Sequence, residues 1–403
     1  MTSNEHIWNG GDCISYGAAI TDRAIRERRL PLANPAATKR MLRIAFALRV
    51  VGERCAILSP AIMPRIPTTM KRLPRLAQHV SGVPVLSVAQ FGVRFLGYIL
   101  TPFTAIASAI KIARRHRIKT VVQYCYFPDA FLFSLWCKIV YRSKVVLDLE
   151  DICRPRLSDW RRGSETRPVL QLWGAVLMRL SIWLADIVIV PTKKFATVVP
   201  SCKCCVVTGC QKVLPAKLDG GRCDKLTLLY SGGITAENGI EVLMDALRML
   251  DGSPREFAVK ICGAGAKRDW VGQQANSLRN IDIEVLGFLD NESFESLYST
   301  VDVCFALQNP NGRHGFFKTP SKGYEALCAG KALIVSDIGD FHELPDDVCF
   351  HVRPYSAETL AGILAGLTGE DVSRRRMNAL EYAKRHFDVA VVGKRIKERL
   401  RAL

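Results

Sequence analysis

LLYSGGITAENGIEVLMDAL, residues Leu228 to Leu247, changes period in its middle, and that change decides the fold class. Up to Tyr230 the run is continuously apolar, as in a short strand buried on both faces. Gly232 and Gly233 close it. From Asn238 onward Ile240, Leu243, Leu247 and Leu250 recur at helical spacing, which gives a helix one buried stripe. The same strand–turn–helix unit then repeats. Phe257 to Cys262 alternates and is stopped by Gly263-Ala264-Gly265. Ile281 to Leu286 reads as a strand and leads to a helix carrying Phe294, Leu297, Tyr298 and Val301. Val303 to Ala306, a helix opening at Pro320 and ending at Gly330, and the strands Ala332 to Ser336 and Val348 to Val352 follow. Strands alternating with helices predict a parallel sheet covered on both faces. Such sheets bind ligands beyond the carboxyl ends of their strands. One rim therefore collects Gly232-Gly233, Gly263 to Gly265, Gly287-Phe288 and the loop Gln308 to Lys322.

The first half repeats the style less regularly. A helix is predicted over Met41 to Val51, and strands over Cys55 to Ser59, Val83 to Val88 and Thr120 to Tyr124. Val145 to Leu149 is a buried strand running into Asp148, Glu150 and Asp151. A helix from Val169 leads to the strand Ile187 to Val190. At 403 residues the chain exceeds one ordinary core, so two domains are expected. Periodicity breaks over Gln211 to Lys225, with Pro215, Gly220 and Gly221. We place an N-terminal domain at 1–218 and a C-terminal one at 219–385. The basic, amphipathic segment 386–403 is expected to pack back on the first.

Composition narrows the partners. Lys and Arg number 56 against 38 Asp and Glu, a formal net charge of +18. Such a field attracts phosphorylated small molecules, anionic lipid or nucleic acid, although each basic run taken singly reads as a solvated surface. The runs are Arg23 to Arg29, Lys111 to Lys119, Arg154 to Arg167, Arg374 to Arg376 and Lys394 to Arg401. No nucleic-acid-binding motif accompanies them, so no nucleic acid partner is expected. Met1 to Asn9 is polar and lacks a signal-peptide core, which predicts a cytoplasmic chain with reduced thiols. The Cys202, Cys204, Cys205, Cys210 spacing fits no common zinc site and has no histidine nearby, so no metal is expected. The most apolar run, Phe95 to Ile110, is interrupted by Pro102 and falls short of the about twenty residues that cross a bilayer. It is either a core helix or one lying in a membrane interface.

The order of these segments resembles the family-four (group 1) retaining glycosyltransferases. Leu228 to Leu247 is similar to the start of that family's donor domain. IEVLGFLDNESFESLYSTVDVCF, Ile283 to Phe305, is similar to its base-binding strand and following helix. PSKGYEALCAGKALIVSDIGD, Pro320 to Asp340, resembles its signature helix and strand. KVVLDLEDI, LADIVIVPT and the stretch from Asn34 to Pro60 resemble segments of the first domain, whereas the first forty residues match poorly. The resemblance implies a GT-B fold, two Rossmann-like doubly wound domains facing a cleft, and metal-independent transfer of a sugar from a nucleotide-sugar with retention. It implies no cofactor beyond that substrate. The acceptor would be a glycan or lipid-linked precursor, which with the charge suggests a peripheral position on an anionic cytoplasmic membrane face.

Residue roles follow partly from chemistry and partly from the resemblance. A leaving diphosphate needs N–H donors or cations, which a helix N-terminus supplies. Ser321 and Lys322 at the Pro320 helix are the candidate cradle, with Gly232, Gly233 and Gly263 allowing close approach. The resemblance gives Glu325 the ribose hydroxyls; otherwise it is a first-turn acid complementing the helix dipole. Phe288 lies where the family binds the base. Three positions depart from the family pattern: Gly233 and Asn238 stand where basic residues are usual, and Phe317 where the first of two paired acids is usual. The diphosphate clamp is then expected on Lys318 and Lys322, assisted by Arg313 or His314. In the first domain Glu150, with Asp151 beside it, occupies the place of a family histidine. It could take the acceptor's proton, or it could be a strand-end carboxylate paired with Arg154 or Arg156. Asn34 and Asp129 are acceptor-side candidates, although Asp129 also reads as a helix cap. Two other readings of the same fold stay open: a nucleotide-sugar epimerase and a non-catalytic nucleotide-binding partner.

Overall fold

Among the described residues sixteen short strands form two main sheets and one two-stranded ribbon. The computed structural model describes the chain except residues 1–11, 31–34, 61–69, 71, 92–93, 115–116, 153–167, 214–224, 253–256 and 313–319. Backbone contacts divide it into two units. Unit 1 holds 1–191, 195–210 and 389–403; unit 2 holds 192–194 and 211–388. The division falls after Cys210, where the break over Gln211 to Lys225 begins.

Unit 1 contains β1 (Cys13–Tyr16), β2 (Cys55–Ser59), β3 (Arg72–Leu73), β4 (Leu76–Val80), β5 (Val83–Ser87), β6 (Gln90–Phe91), β7 (Thr120–Tyr124), β8 (Lys144–Asp148), β9 (Ile187–Val190) and β10 (Cys204–Val206). Its sheet runs β10-β9-β8-β7-β1-β2-β5-β4, parallel throughout except that β4 pairs antiparallel with β5. β1 is a finding. The sequence reading began the sheet at Cys55, yet the central strand is Cys13–Tyr16, four residues too few to show a period. Helix Pro35–Val50 and the final helix Val389–Arg401 share one core with one face of the sheet. Helices Arg94–Ala113 and Pro128–Tyr141 share another core with the opposite face.

Arg395, Lys397 and Arg399 of the last helix are tied down, whereas Lys394 and Arg401 are exposed. Arg395 donates to the Val206 carbonyl at 3.1 Å and Arg399 to that of Cys204 at 2.8 Å. Lys397 pairs with Glu53 at 3.1 Å. The run Arg374 to Arg376 is likewise engaged: Arg376 bonds Asp302 at 3.1 Å and Arg375 stacks over Phe350 at 3.9 Å. The cysteine-rich stretch supplies β10, with Cys204 and Cys205 buried.

Unit 2 contains β11 (Leu226–Gly233), β12 (Phe257–Ala264), β13 (Asp282–Gly287), β14 (Val303–Ala306), β15 (Ala332–Ser336) and β16 (Phe350–Val352). All pair in parallel, in the order β13-β12-β11-β14-β15-β16. Numbered within the unit, that is 3-2-1-4-5-6, the order of dinucleotide-binding sheets. The strand period of two sorts its core. Leu228, Tyr230 and Ile261 join the cluster beneath helix Ile240–Leu250, whereas Leu229, Cys262 and Cys304 join the one beneath helix Ser321–Cys328. Helices Arg268–Ser277, Ala357–Ala365 and Gly369–His386, which the sequence reading does not resolve, also belong to the unit.

Candidate active site

In unit 2 the order of strands reverses between β11 and β14. The helix after β11 goes to one face and the helix after β14 to the other, which opens a crevice at the carboxyl ends of these two strands. The turn between β11 and its helix is clamped from both sides by backbone. A Cβ on Gly263 would lie 1.8 Å from the Gly232 carbonyl oxygen, and one on Gly239 would lie 1.8 Å from that of Leu307. Gly239 also takes φ +80°, so a short 3-10 turn, Ala236–Asn238, precedes the helix. This is why the helix starts at Ile240 and not at Asn238.

Asn238, the position where a basic residue is usual, spends its amide inside the loop. Its Nδ2 donates to the Gly233 carbonyl at 2.9 Å, and its Oδ1 accepts from Gln308 Nε2 at 3.3 Å. The Tyr230 hydroxyl donates to Gly233 and Asn238 carbonyls at 2.9 and 3.2 Å. Asn238 therefore holds the turn's shape; its side chain is not aimed outward as a cation would be. Tyr230 and Gln308 were not singled out from sequence, because their partners are set by the fold and not by spacing.

Helix Ser321–Cys328 opens at Pro320, which supplies no side-chain cap, so its first N–H groups face the rim uncapped by side chain. Ser321 is exposed there. Lys322 pairs with Glu325 at 3.0 Å and lies 5.1 Å over the Phe294 ring. Glu325 is largely covered, at 13% side-chain exposure, so it is more than an exposed dipole-complementing acid. Phe288, just beyond β13, is 71% exposed, an aromatic face presented to solvent on the same rim. The candidates Gly232, Gly233, Gly263, Phe288, Ser321, Lys322 and Glu325 thus share the carboxyl edge of one sheet. Lys318, Arg313, His314 and Phe317 lie outside the described residues.

Unit 1 has its own carboxyl edge, with the reversal between β1 and β7. There Arg40, buried, donates to Asp148 at 2.9 and 3.1 Å, and its Nε lies 3.7 Å from Glu150. Burial opposes the Arg40 charge, but the Asp148 carboxylate outweighs it and holds the guanidinium firmly protonated. The Tyr124 hydroxyl donates to Glu150. Burial raises the Glu150 carboxyl above its usual range, partly offset by Arg40 and reinforced by Asp148. Glu150 faces Arg40, a partner 110 positions away that no local pattern announces; Arg154 and Arg156 lie outside the described residues. Asp151 is exposed at the edge. Asn34 lies outside the described residues as well.

Asp129 is not the cap of its helix. Phe127 occupies that position, and Asp129, in the first turn, accepts from the Tyr16 hydroxyl at 3.0 Å. Burial raises its carboxyl above the ordinary value, against the Tyr16 hydrogen bond and the backbone N–H groups that lower it. A carboxyl raised in the folded state favours folding fully below its unfolded value and loses that contribution as pH rises through the folded value. Asp129→Asn keeps an acceptor for Tyr16 and carries no charge. Its unfolding midpoint should exceed that of the parent near about pH 8 and coincide with it near about pH 3. Thermal melts across that range check this; a variant less stable at pH 8 would show that charge at Asp129 is well accommodated.

The two sheets, each wound on both faces with its own switch point, define the GT-B class of glycosyltransferase fold. The family model for glycosyl transferases group 1 matches residues 225–369, which lie within unit 2. That segment is similar to the group 1 glycosyltransferases, and the chain as a whole shares the fold of the solved structures that follow. No curated protein matches the sequence. Among solved structures, sucrose-phosphate synthase from Thermosynechococcus elongatus is 14% identical, with 97% of this chain and 98% of that one covered at a TM-score of 0.65. HepE of Anabaena in complex with UDP is 18% identical, covering 97% and 100%, at 0.60. WaaG, a glycosyltransferase involved in lipopolysaccharide biosynthesis, is 12% identical, covering 96% and 98%, at 0.54. Identities this low speak for the fold alone.

Proposed function

We propose that the protein transfers a sugar from a nucleoside-diphosphate sugar to a hydroxyl of a glycan or lipid-linked acceptor, with retention and without a metal. The observation that carries the reading is the unit 2 rim. A helix start without a side-chain cap, a covered carboxylate one turn in, and a glycine turn clamped by backbone stand at the switch point of a group 1 domain. In this reading the first turn at Ser321 and Lys322 takes the diphosphate through N–H donors, helix dipole and ammonium. Glu325 takes the ribose hydroxyls and Phe288 lies against the base. Because Asn238 is spent on the loop, Lys322 is the described cation best placed for the phosphates. HepE has been solved with UDP and with UDP-glucose, which supports uridine among the bases to try first. On unit 1, Glu150, with its raised carboxyl, serves the acceptor hydroxyl. A lipid-linked acceptor places the work at the cytoplasmic membrane face.

Calorimetry with UDP, ADP and GDP tests the donor site. Glu325→Gln should weaken the preferred diphosphate by about tenfold, the loss of one or two charge-assisted hydrogen bonds. Lys322→Ala should weaken the diphosphate more than the corresponding nucleoside. Equal losses for both ligands would remove Lys322 from the phosphates. No binding of any of the three nucleotides would sink the donor reading and favour a non-catalytic role.

A further inference from the structure

Three helices cover one face of the unit 1 sheet, and each is apolar on both its inward and its outward side. Helix Arg94–Ala113 packs on helix Pro128–Tyr141, which packs on helix Pro168–Leu184. In the middle helix Ala130, Phe133, Ser134 and Cys137 form the buried stripe, at helical spacing. A second apolar stripe, Leu132, Ile139 and Val140, is 47%, 70% and 52% exposed. Helix Pro168–Leu184 buries Leu177, Met178 and Ile182, and turns Leu172, Trp173, Val176, Leu180 and Trp183 outward. The first helix buries Ala105, Ala109 and Ile112 and exposes Phe103 and Ile110. Helices that are apolar all round are ordinarily covered on every side, and apolar patches of this extent mark a docking surface.

Among the described residues, the unpaired charge on this layer has one sign. Lys111, Arg114, Arg117, Arg142 and Arg179 are exposed and have no ion pair among the described residues. The acids beside them are engaged: Asp186 with Lys138 at 2.7 Å, and Asp129 with Tyr16. The helices run antiparallel to the strands, so their C-terminal turns meet at the strands' amino end. Lys138 of the middle helix reaches the Leu184 carbonyl at 2.7 Å there. Ile110, Ile139, Val140 and Trp183 therefore lie beside Lys111, Arg114 and Arg142.

We infer that this helical layer docks unit 1 on an anionic lipid bilayer. The two outward indoles and the aliphatic stripes enter the headgroup boundary, and the basic residues meet lipid phosphates. A second copy of this chain would bring the same unpaired cations against one another, which disfavours that occupant. The inference rests on the proposed lipid-linked acceptor for its purpose only; its geometry is independent of the nucleotide site.

Flotation of the full chain with vesicles tests it. The protein should float with vesicles rich in phosphatidylglycerol at low salt, lose binding as salt rises, and remain soluble with pure phosphatidylcholine. The double variant Trp173→Ser, Trp183→Ser should bind anionic vesicles at least about tenfold more weakly. Both positions are more than half exposed, so its unfolding midpoint and its UDP-induced thermal shift should match the parent. Arg114→Gln with Arg142→Gln should flatten the salt dependence. A parent that stays soluble with anionic vesicles, or serine variants that float as well as the parent, overturns the inference. So does a parent dimer in sedimentation that becomes monomeric in the serine variant, which would make the face an interface between copies. Vesicle binding without any nucleotide response would leave this surface standing and remove the donor reading instead.

Discussion

Arg40→Met should destabilise unit 1 by about 3–5 kcal/mol, the cost of breaking a buried ion pair by removing one partner. Asp148 is 1% exposed and accepts both of its short guanidinium bonds from Arg40. Without the guanidinium the carboxylate keeps its desolvation cost and loses its counter-charge, and Glu150 loses the cation 3.7 Å away. Methionine retains most of the volume, so the loss reports charge more than cavity. Denaturant unfolding gives the magnitude. Adding Asp148→Asn should recover a large part of it, because an amide is far cheaper to bury than an unpaired carboxylate. A double variant as unstable as Arg40→Met alone would mean that Arg40 acts through packing or through its bond to the Val207 carbonyl.

Gly263→Ala should cost unit 2 more than about 3 kcal/mol and abolish nucleotide binding. The new methyl would stand 1.8 Å from the Gly232 carbonyl oxygen and 2.9 Å from its carbon, at φ +145°. Both atoms are backbone, held in register by the Gly232–Gly263 pairing of β11 and β12, so neither can swing aside. Gly232→Ala makes the contrast. Its φ is +138°, but nothing lies within 4 Å of the added methyl. It should lose only the backbone strain, about 1–3 kcal/mol, while its methyl projects onto the rim where the phosphates are proposed to lie. Thermal melts with and without UDP separate the two. Equal destabilisation by both substitutions would show that strain alone, not the clash, governs the turn.

Both predictions concern contacts of a kind that the sequence reading reached unevenly. Gly263 was legible as a strand-ending turn because the glycine follows an alternating run directly. Arg40 was not, because its partner lies 108 positions away and nothing around Thr38 to Met41 marks an inward-facing cation. Asn238 is marked in the sequence only as a donor-side position where a basic residue is usual. Its actual bonds, to Gly233 and Gln308, depend on β14 lying beside β11.

Features that depend on neighbours along the chain can be read directly from the residues. The strand–turn–helix alternation from Leu226 to Val352, the turn glycines and the helix start at Pro320 are set by side-chain periods and backbone sterics, which act over a few residues. The tertiary structure alone decided the rest. It put the four-residue strand Cys13–Tyr16 at the centre of the first sheet, since pairing on both sides, not length, gives that strand its stability. It also set Arg395 and Arg399 of the C-terminal helix against carbonyl oxygens, and left two indoles and two aliphatic stripes facing out. A helix apolar on every side carries no period that separates core from surface, so only packing against the sheet could choose which stripe to bury.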